Sequence, residues 1–393
     1  MPHQRERWVE AYLRKMASFW PIIGVLGLRQ VGKSTLLRDR IQVPNYLTFD
    51  DAEVRSEAEL SPKVFLSRHS GGPTVLDEVQ KVPVLFDSLK ALVDRRKIPG
   101  RWFLSGSVAF SNKVGIRESL TGRIGMVHLY PLCLAELKPT TFRVNQTGPI
   151  LKGDCNLRFS VEDLSLQMNL GGLPVPAFLR DDQVRESYWD QWLETTLARD
   201  AQKAYGRGFD PEYCISLVRM LAKALPEGEY PSLAFVSGDK RKAKKYIQAL
   251  QDIFFLRRFT CHESGVGNDH WIFGDAGLAY HLARQKSGPG TLLSLARHMI
   301  LNEIFCFNEY QGKPLQKLYF KSAKGAVIDL VWDEIPIRII AEAVTTSSMG
   351  YYERAMTGAM KALGAKQGIL VAPVNSIEVP KSGIAVVPWS YWS

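Results

Sequence analysis

Short apolar runs of strand length recur between residues 20 and 135, and each is followed by a stretch whose apolar residues return at helical spacing. The strand-like runs are PIIGVLG, NYLTFD, PTVLDE, RWFLSGS and GMVHLYPL. The helix-like stretches between them include STLLRDRI, LSPKVFLSRH and VPVLFDSLKALVDRRK. Strands that are apolar almost throughout and alternate with helices are typical of a parallel sheet covered on both faces. We therefore predict an α/β domain built on such a sheet over residues 1–137.

The pattern changes after residue 137, and the rest of the chain divides into three parts. Residues 138–180 show no clear period of apolar positions, so we predict a linker region there, with KPTTFRVNQTGPILKGD as a loop. Residues 181–288 are mainly helical, and FFLRRFTCHES and HWIFGD near their end predict a β-hairpin. Helices followed by a hairpin indicate a winged-helix module. Residues 289–393 follow the linker-like sequence KSGPG and predict a small α/β domain.

Composition narrows the class of protein. The 393 residues are enough for two or three cores, and 46% hydrophobic with 23% charged residues is ordinary for a globular protein. The net charge of +10 favours anionic partners, although only weakly. The five cysteines are scattered, which indicates reduced thiols. No apolar run reaches the roughly 18 residues of a membrane span, and the charged N-terminus lacks the apolar core of a signal peptide. We expect a cytoplasmic protein without membrane contact.

The sequence GLRQVGKST, directly after the first strand-like run, fits the pattern of a phosphate-binding loop. Glycines at Gly27 and Gly32 let the backbone turn sharply, so that its N–H groups can surround phosphate oxygens. Lys33 would neutralise the β- and γ-phosphates, and the Ser34 hydroxyl would bind Mg²⁺. The alternative is a glycine-rich turn that binds nothing. The predicted nucleotide-binding residues are Gly27, Arg29, Gln30, Val31, Gly32, Lys33, Ser34 and Thr35. Of these, Arg29 is expected to point toward solvent or a neighbouring segment.

A second motif, PTVLDEVQ, supplies the acidic residues that a nucleoside triphosphatase needs. Asp77 ends an apolar strand and would hold the metal, and Glu78 would polarise the attacking water. The alternative for Glu78 is an ordinary carboxylate at a helix start. In WFLSGS, Ser105 or Ser107 could sense the γ-phosphate, unless the strand simply turns there. The chain has no Asn-Lys-x-Asp guanine motif, which favours ATP as the nucleotide.

Taken in order, these strings resemble a known family. They are GLRQVGKSTLL, YLTFDD, TVLDEVQKVP, FLSGS, SLTGRIGMVHLYPLCLAEL, GGLPVPAFL, WLETTLARD, YIQALQDIFFLRRF and WIFGDAGLAYHL. The resemblance is to a bacterial and archaeal group of AAA+-type P-loop ATPases. Those proteins carry a C-terminal domain of unknown function with a winged helix and a restriction-nuclease-like fold. The matching strings extend over nearly the whole chain.

The resemblance implies a sheet with strand order 5-1-4-3-2 and Mg²⁺-dependent ATP hydrolysis by Lys33, Ser34, Asp77 and Glu78. It also implies a role for Arg123 in the string LTGR, at a position where the family keeps an arginine. That arginine could stabilise γ-phosphate charge in its own chain or in a neighbour, the latter requiring a homo-oligomer. A planar guanidinium suits this role because it can bind phosphate through two donors. The alternative is a salt bridge.

Two hypotheses concern the C-terminal half. A basic cluster at the start of DKRKAKKYIQALQD could contact DNA or RNA phosphates from a winged helix. It consists of Lys240, Arg241, Lys242, Lys244 and Lys245. The alternative is a solvated helix face in a module that contacts protein.

The resemblance further implies a nuclease-like acidic site in the last domain. Asp329 and Glu342 fit its two acidic positions, and Glu303 could be a third. The lysine expected two residues after Glu342 is Val344, so we predict a degenerate site without nuclease activity. Lys321 or Lys324 could replace that lysine only if the fold brings one of them close.

The leading hypothesis is thus an ATPase that uses nucleotide turnover to change the placement of its C-terminal modules, which bind nucleic acid or a protein partner. The alternatives are a nucleotide-gated scaffold with little turnover, an ATP-regulated nuclease, and a small-molecule kinase. The Asp77–Glu78 pair favours activation of water over transfer of the phosphoryl group to a small molecule shielded from water.

Overall fold

The computed structural model describes residues 5–109, 120–137, 159–284, 288–342, 346–378 and 382–392. The predicted loop at 138–154, Val344 and part of the sequence KSGPG lie outside these residues. The chain forms two compact units, and neither is continuous in sequence. The first consists of Met1–Leu132, Thr195–Phe209 and Gln248–Phe254. The second consists of Cys133–Glu194, Asp210–Ile247 and Phe255–Ser393.

A five-stranded parallel sheet forms the centre of the first unit. Its strands are β1 (Ile22–Leu26), β2 (Asn45–Thr48), β3 (Thr74–Asp77), β4 (Trp102–Gly106) and β5 (Ile124–His128). Their order is β2-β3-β4-β1-β5, and all neighbouring strands run parallel. The predicted order 5-1-4-3-2 is therefore confirmed. Every residue of β1, β3 and β4 is buried, as expected for strands covered on both faces.

Helices and aromatic side chains enclose this sheet. Within residues 5–109 and 120–132, the helices are Val9–Ala17, Lys33–Thr35 with its π-helical continuation Leu36–Arg40, Ala52–Leu60, Pro62–Arg68 and Leu85–Arg95, with a 3₁₀ turn at Val79–Lys81. One core joins the sheet to these helices through Phe65, Phe86, Leu89, Trp102 and Leu104. Burial of such side chains, at roughly 1.5–3 kcal/mol each, is the main force that holds the layers together.

Two later parts of the chain complete the first unit. In Thr195–Phe209, a π-helical turn, Thr196–Asp200, runs directly into helix Ala201–Tyr205. In Gln248–Phe254, the carbonyl of Asp252 accepts a hydrogen bond from Ala109 N at 2.7 Å. Two of the five boundaries between the units in the sequence lie inside helices, namely Asp182–Thr195 and Lys240–Asp252.

The second unit contains two four-stranded sheets and several helices. Its strands are β6 (Leu256–Cys261), β7 (His270–Phe273), β8 (Leu318–Lys321), β9 (Val327–Ile328), β10 (Leu330–Trp332), β11 (Ile335–Ile339), β12 (Gly368–Ala372) and β13 (Ile384–Pro388). They are ordered β7-β6-β8-β9 and β10-β11-β12-β13. The predicted hairpin is present, since β6 and β7 pair antiparallel.

Helices also make up much of the second unit. Among its described residues, the helices and turns are Leu134–Leu137, Val161–Leu170, Pro176–Phe178, Asp182–Thr195, Pro211–Ala222, Leu225–Glu227, Leu233–Phe235, Lys240–Asp252, Ala276–Ala283, Thr291–Glu309 and Thr346–Leu363. None of the described helices combines the length and the apolar character that a bilayer crossing requires.

A buried carboxylate fixes the loop of the string GGLPVPAFL. Asp275 caps helix Ala276–Ala283 by accepting the N–H of Leu278 at 3.1 Å. The same carboxylate accepts the N–H groups of Gly172 at 2.7 Å and Leu173 at 3.1 Å. Three backbone donors compensate the buried charge of Asp275. The aspartate therefore joins the start of helix Ala276–Ala283 to the loop at Gly172 and Leu173. Asp275 is thus explained by structure and need not serve a ligand.

Candidate functional site

The glycine-rich loop connects the end of β1 to the helix that starts at Lys33. Gly32 has a φ of 101°, which a residue with a side chain rarely adopts. Gly27 is needed for another reason. A Cβ at this position would lie 2.3 Å from the carbonyl oxygen of Leu129. These two glycines therefore allow the backbone to lie close to the end of β5 and to turn into the helix.

Lys33 points back into this loop. Its Nζ donates to the carbonyl oxygens of Gly27 at 2.9 Å and Leu28 at 3.0 Å. The side chain is buried, and burial lowers its pKa, while the charges of Glu78 and Asp77 act in the opposite direction. An ammonium group with two carboxylates nearby lies at the end of the loop where phosphates would be held.

Asp77 at the end of β3 receives hydroxyl groups from three different elements. Ser34 Oγ lies 3.4 Å from its Oδ2, Tyr46 donates to the same oxygen at 2.5 Å, and Ser105 donates to Oδ1. Asp77 and Ser105 are also register partners on β3 and β4. A carboxylate next to a serine hydroxyl is an oxygen donor set that suits Mg²⁺, which usually takes one or two carboxylates and completes its shell with phosphate and water.

No group of three or more His, Cys, Asp or Glu side chains that could hold a metal occurs within the described residues. Ser34 and Asp77 are the residues whose side-chain oxygens would hold the predicted Mg²⁺.

Glu78 follows Asp77 in an unusual backbone conformation. Its φ is 55°, in the left-handed region that non-glycine residues seldom occupy and that is enriched at functional sites. Its carboxylate accepts from Gln80 Nε2 and from Ser107 Oγ at 3.4 Å. Burial raises the pKa of Glu78, while the Lys33 charge opposes this shift. The side chain is thus held in a fixed position next to Asp77 and Lys33.

The remaining loop residues have distinct surroundings. Arg29 Nη1 pairs with Asp200 Oδ2 at 3.1 Å, so it contacts a neighbouring segment as expected. Val31 is buried, and its carbonyl accepts from Arg7. Gln30 is exposed with a φ of 60°, and Thr35 is half-buried in the helix after the loop.

Arg123 is not brought together with these residues. It directly precedes β5, at the amino-terminal edge of the parallel sheet, whereas the loop and Asp77 lie at the carboxyl ends of the strands. Its guanidinium binds the carboxylate of Asp94 through two nitrogens, at 2.6 and 2.8 Å. The geometry therefore does not support a role for Arg123 in the site of its own chain, and the salt bridge considered as its alternative is present. A contribution to a neighbouring chain stays a prediction.

Several residues near the site were not found by sequence reasoning. They are Tyr46, Asp50, Gln80, Arg199, Asp200 and Lys203. Arg199 and Asp200 belong to the string WLETTLARD, which is part of the family resemblance but suggested no chemical role for either residue. Arg199 lies 3.6 Å from Asp50, which also pairs with Lys81. Only the fold shows that this string lies beside the loop.

The three acidic residues of the nuclease-like hypothesis have separate partners. Asp329 is fully buried and accepts from Tyr230 at 2.5 Å and from Ile339 N at 2.6 Å, and it lies 2.8 Å from Arg297 Nε. Glu303 is buried and accepts from Leu134 N at 3.0 Å, whereas Glu342 is exposed and accepts from Tyr352. The structure therefore does not assemble Glu303, Asp329 and Glu342 into one metal site. The charge of Asp329 is already balanced by the buried guanidinium of Arg297, which leaves it little attraction for a metal cation.

The basic cluster lies on the first two turns of helix Lys240–Asp252. Four of its members are exposed, namely Lys240, Arg241, Lys244 and Lys245. Lys242 differs from them. It lies 3.6 Å from Asp210 and 4.0 Å from the ring centre of Tyr213. Lys242 thus has a structural role, and the exposed members form a basic helix face.

Part of the chain matches a known domain family. Residues 20–138 match the family model of an AAA domain. Uncharacterized proteins of Mycobacterium tuberculosis and Mycobacterium bovis are each 25% identical over 388 residues, with 92% of this chain and 79% of the relative covered. A Walker-type ATPase of Pyrococcus abyssi superposes with a TM-score of 0.42 and 13% identity, covering 70% of this chain and 94% of the other. The domain match and the parallel sheet support nucleotide binding and hydrolysis in this part of the chain.

Proposed function

We propose that this protein binds ATP together with Mg²⁺ and hydrolyses it, and that nucleotide turnover acts on the C-terminal part of the chain. One observation carries the proposal. Ser34 from the glycine-rich loop and Asp77 from the neighbouring acidic motif come within 3.4 Å, with Lys33 buried beside them. These residues lie far apart in sequence and have the types that magnesium and a triphosphate require.

Each residue has a separate task in this proposal. The loop amides and Lys33 hold the phosphates, and Ser34 and Asp77 hold the metal. Bound Mg²⁺ would neutralise phosphate charge and orient the phosphates. Glu78 positions and polarises the attacking water, and Ser105 keeps the Asp77 carboxylate oriented. The ordered contacts of Asp77 and Glu78 support preorganisation, which is the main contribution of a protein to phosphoryl transfer.

Matched variants separate binding from hydrolysis. Lys33→Ala should weaken ATP binding at least about tenfold because it removes a cation from the phosphates. Glu78→Gln should keep binding but lower the hydrolysis rate by about 10²- to 10³-fold, within the usual range for a lost catalytic carboxylate. Glu59→Gln changes an exposed glutamate of helix Ala52–Leu60 and serves as the control. Isothermal titration calorimetry and phosphate release, with and without EDTA, give the two readouts.

Two outcomes would count against this proposal. The absence of any ATP binding in the presence of Mg²⁺ would reject it entirely. Binding with the same slow hydrolysis in the wild type and Glu78→Gln would support a nucleotide-gated scaffold instead.

We also propose that helix Lys240–Asp252 contacts nucleic acid through its exposed basic residues. Positive charge in the first turns of a helix is opposed by the helix dipole, at about 0.3–1 kcal/mol per charge. Such a basic face therefore adds little to folding, yet it suits salt-dependent binding to phosphates. The winged-helix description of this region belongs to the same proposal.

Fluorescence anisotropy with labelled DNA and RNA oligonucleotides tests this contact. Lys244→Ala/Lys245→Ala should weaken binding and lower its salt dependence. The control is Lys63→Ala/Lys97→Ala, which removes the same charge from exposed positions elsewhere. Equal binding by the two double variants would remove helix Lys240–Asp252 from the interface.

A further inference from the structure

A buried arginine ahead of the first helix binds the glycine-rich loop. Arg7 lies two residues before helix Val9–Ala17, and its side chain is buried. Its Nη1 donates to the carbonyl oxygen of Val31 at 3.1 Å, and its Nη2 donates to that of Tyr130 at 2.8 Å. Buried carbonyl groups need donors, and a charged donor forms the stronger bond. One guanidinium thus joins the loop to the segment that follows β5.

The bond to Val31 determines the direction of the N–H group that comes next. The described residues contain no cis peptide bond, and in a trans peptide the C=O and the following N–H point to opposite sides. Because Arg7 holds the Val31 carbonyl on one side, the N–H of Gly32 is directed to the other. In a phosphate-binding loop, backbone N–H groups such as this one surround the phosphates. Arg7 therefore acts on a peptide group of the proposed phosphate site.

Gly32 makes two orientations of this peptide accessible. Its φ is 101°, and a half turn of the Val31–Gly32 peptide would bring this angle to about −80°, which glycine adopts as readily. Bonds on either side fix the flanking groups, since Val31 N donates to Leu28 O at 3.3 Å and Leu36 N donates to Gly32 O at 2.9 Å. Neither bond uses the carbonyl of Val31 or the N–H of Gly32. The bond with Arg7 does, so it selects between the two orientations.

We propose that Arg7 is a positioning residue for nucleotide binding, which holds the Val31–Gly32 peptide with its N–H toward the phosphates. The inference rests on the proposed nucleotide site and adds a residue from outside the matched AAA domain, residues 20–138. Without Arg7, the peptide can turn its carbonyl oxygen to the phosphates, where one acceptor would face another. Loss of a hydrogen bond to a charged group corresponds to binding that is about 10- to 100-fold weaker.

Two arginine variants separate this role from a general support of the N-terminal helix. Arg40 Nε binds Glu10 Oε1 at 2.8 Å, so Arg40 also ties helix Val9–Ala17 to the segment after the loop, but through a carboxylate instead of a loop carbonyl. Arg7→Gln should weaken the binding of ADP and of a non-hydrolysable ATP analogue about 10- to 100-fold. Arg40→Gln removes the same charge from the same helix contact and should keep both affinities close to those of the wild type.

The amide signal of Gly32 is a readout that a merely structural role would not change. The dipeptide Val–Gly occurs three times in the chain, so ¹³C-carbonyl valine combined with ¹⁵N-glycine isolates three amide signals. The signal that is lost from this set in Val31→Ile belongs to Gly32. On saturation with ADP and Mg²⁺, its proton should shift downfield in the wild type and in Arg40→Gln, and clearly less in Arg7→Gln.

All measurements use the full chain, with calorimetry for the dissociation constants and thermal unfolding to show that each variant folds. Wild-type affinity in folded Arg7→Gln would overturn the inference. Equal losses of affinity in both arginine variants, with an unchanged Gly32 shift, would also overturn it, because the arginines would then only hold the helix. If Arg7→Gln does not fold, the wild type still decides, since a Gly32 amide that does not respond to bound ADP contradicts the proposed orientation. Absence of any nucleotide binding in the wild type would instead reject the proposed function itself.

Discussion

Replacing Gly27 by alanine tests whether the glycine-rich loop needs its close contact with the end of β5. A Cβ on Gly27 would lie 2.3 Å from Leu129 O. A carbon–oxygen contact needs about 3.3 Å, so the two backbones must separate by about 1 Å. They cannot separate freely, since Leu129 N donates to Leu26 O at 2.7 Å directly beside this contact. The variant must therefore weaken this hydrogen bond or strain the loop.

The expected cost is that of overpacking a tight site, about 1–3 kcal/mol in the free energy of unfolding. A displacement of about 1 Å in groups that position a substrate can lower activity about 10²-fold. Gly27→Ala should therefore unfold at lower urea concentration and lose most of its ATP binding. Gly71→Ala is the control, because a Cβ there meets no atom within 4 Å. Wild-type stability together with wild-type ATP affinity in Gly27→Ala would refute the argument that this contact shapes the site.

Buried ionisable groups give three further expectations. Burial raises the pKa of Glu78, and activation of water needs its ionised form. The hydrolysis rate should therefore begin to fall, as the pH decreases, before an exposed glutamate would protonate. A hydrolysis rate that stays unchanged down to pH 4.5 would contradict this. Asp329→Asn leaves Arg297 buried without its counter-charge and should lower the free energy of unfolding in urea by about 3–5 kcal/mol, whereas exposed Asp333→Asn should have almost no effect. Burial lowers the pKa of His298 to about 4, so the unfolded chain binds a proton first as pH falls from 6.5, and stability should drop by about 2 kcal/mol between pH 7 and pH 5. His298→Gln should reduce that pH dependence, and an unchanged slope would exclude His298 as its source.

The parallel sheet and the loop were predictable because their signals are local. β1 and the residues Gly27–Thr35 are adjacent in sequence, and the buried strands are apolar along their whole length. The meeting of Ser34 with Asp77 also followed, since the carboxyl ends of parallel strands lie at one edge of a sheet. In these cases the period of the pattern and the direction of the strands determine the geometry.

The pairing of Asp200 with Arg29 could not be predicted in the same way. The two residues are 171 positions apart, and the chain between them passes through Cys133–Glu194 of the second unit. A helix with alternating acidic and basic residues usually has a solvated face, so its sequence gave no reason to place Asp200 beside a phosphate-binding loop. Pairing between distant segments depends on the complete fold, which a local pattern does not describe.

The acidic residues of the nuclease-like hypothesis depend on the complete fold in the same way. Asp329 interrupts the strand-like run AVIDLVW between β9 and β10, as a metal ligand at a strand break could. Its partners Tyr230 and Arg297 come from other parts of the chain and turn the carboxylate into the centre of a buried network. The sequence shows the acid at the expected position, but the donors around it decide whether it can bind a cation.

The surroundings of Asp77 show how a site with few carboxylates can still be specific. Ser34, Tyr46 and Ser105 reach it from the loop helix, β2 and β4, so its orientation is fixed by three elements that the sheet already holds together. A hydroxyl can donate to a carboxylate and keep lone pairs for a cation, so Ser34 can contact both Asp77 and Mg²⁺. Tyr46 and Ser105 need not move for this to occur. The site can therefore accept a metal and a triphosphate without rearranging its acidic residues.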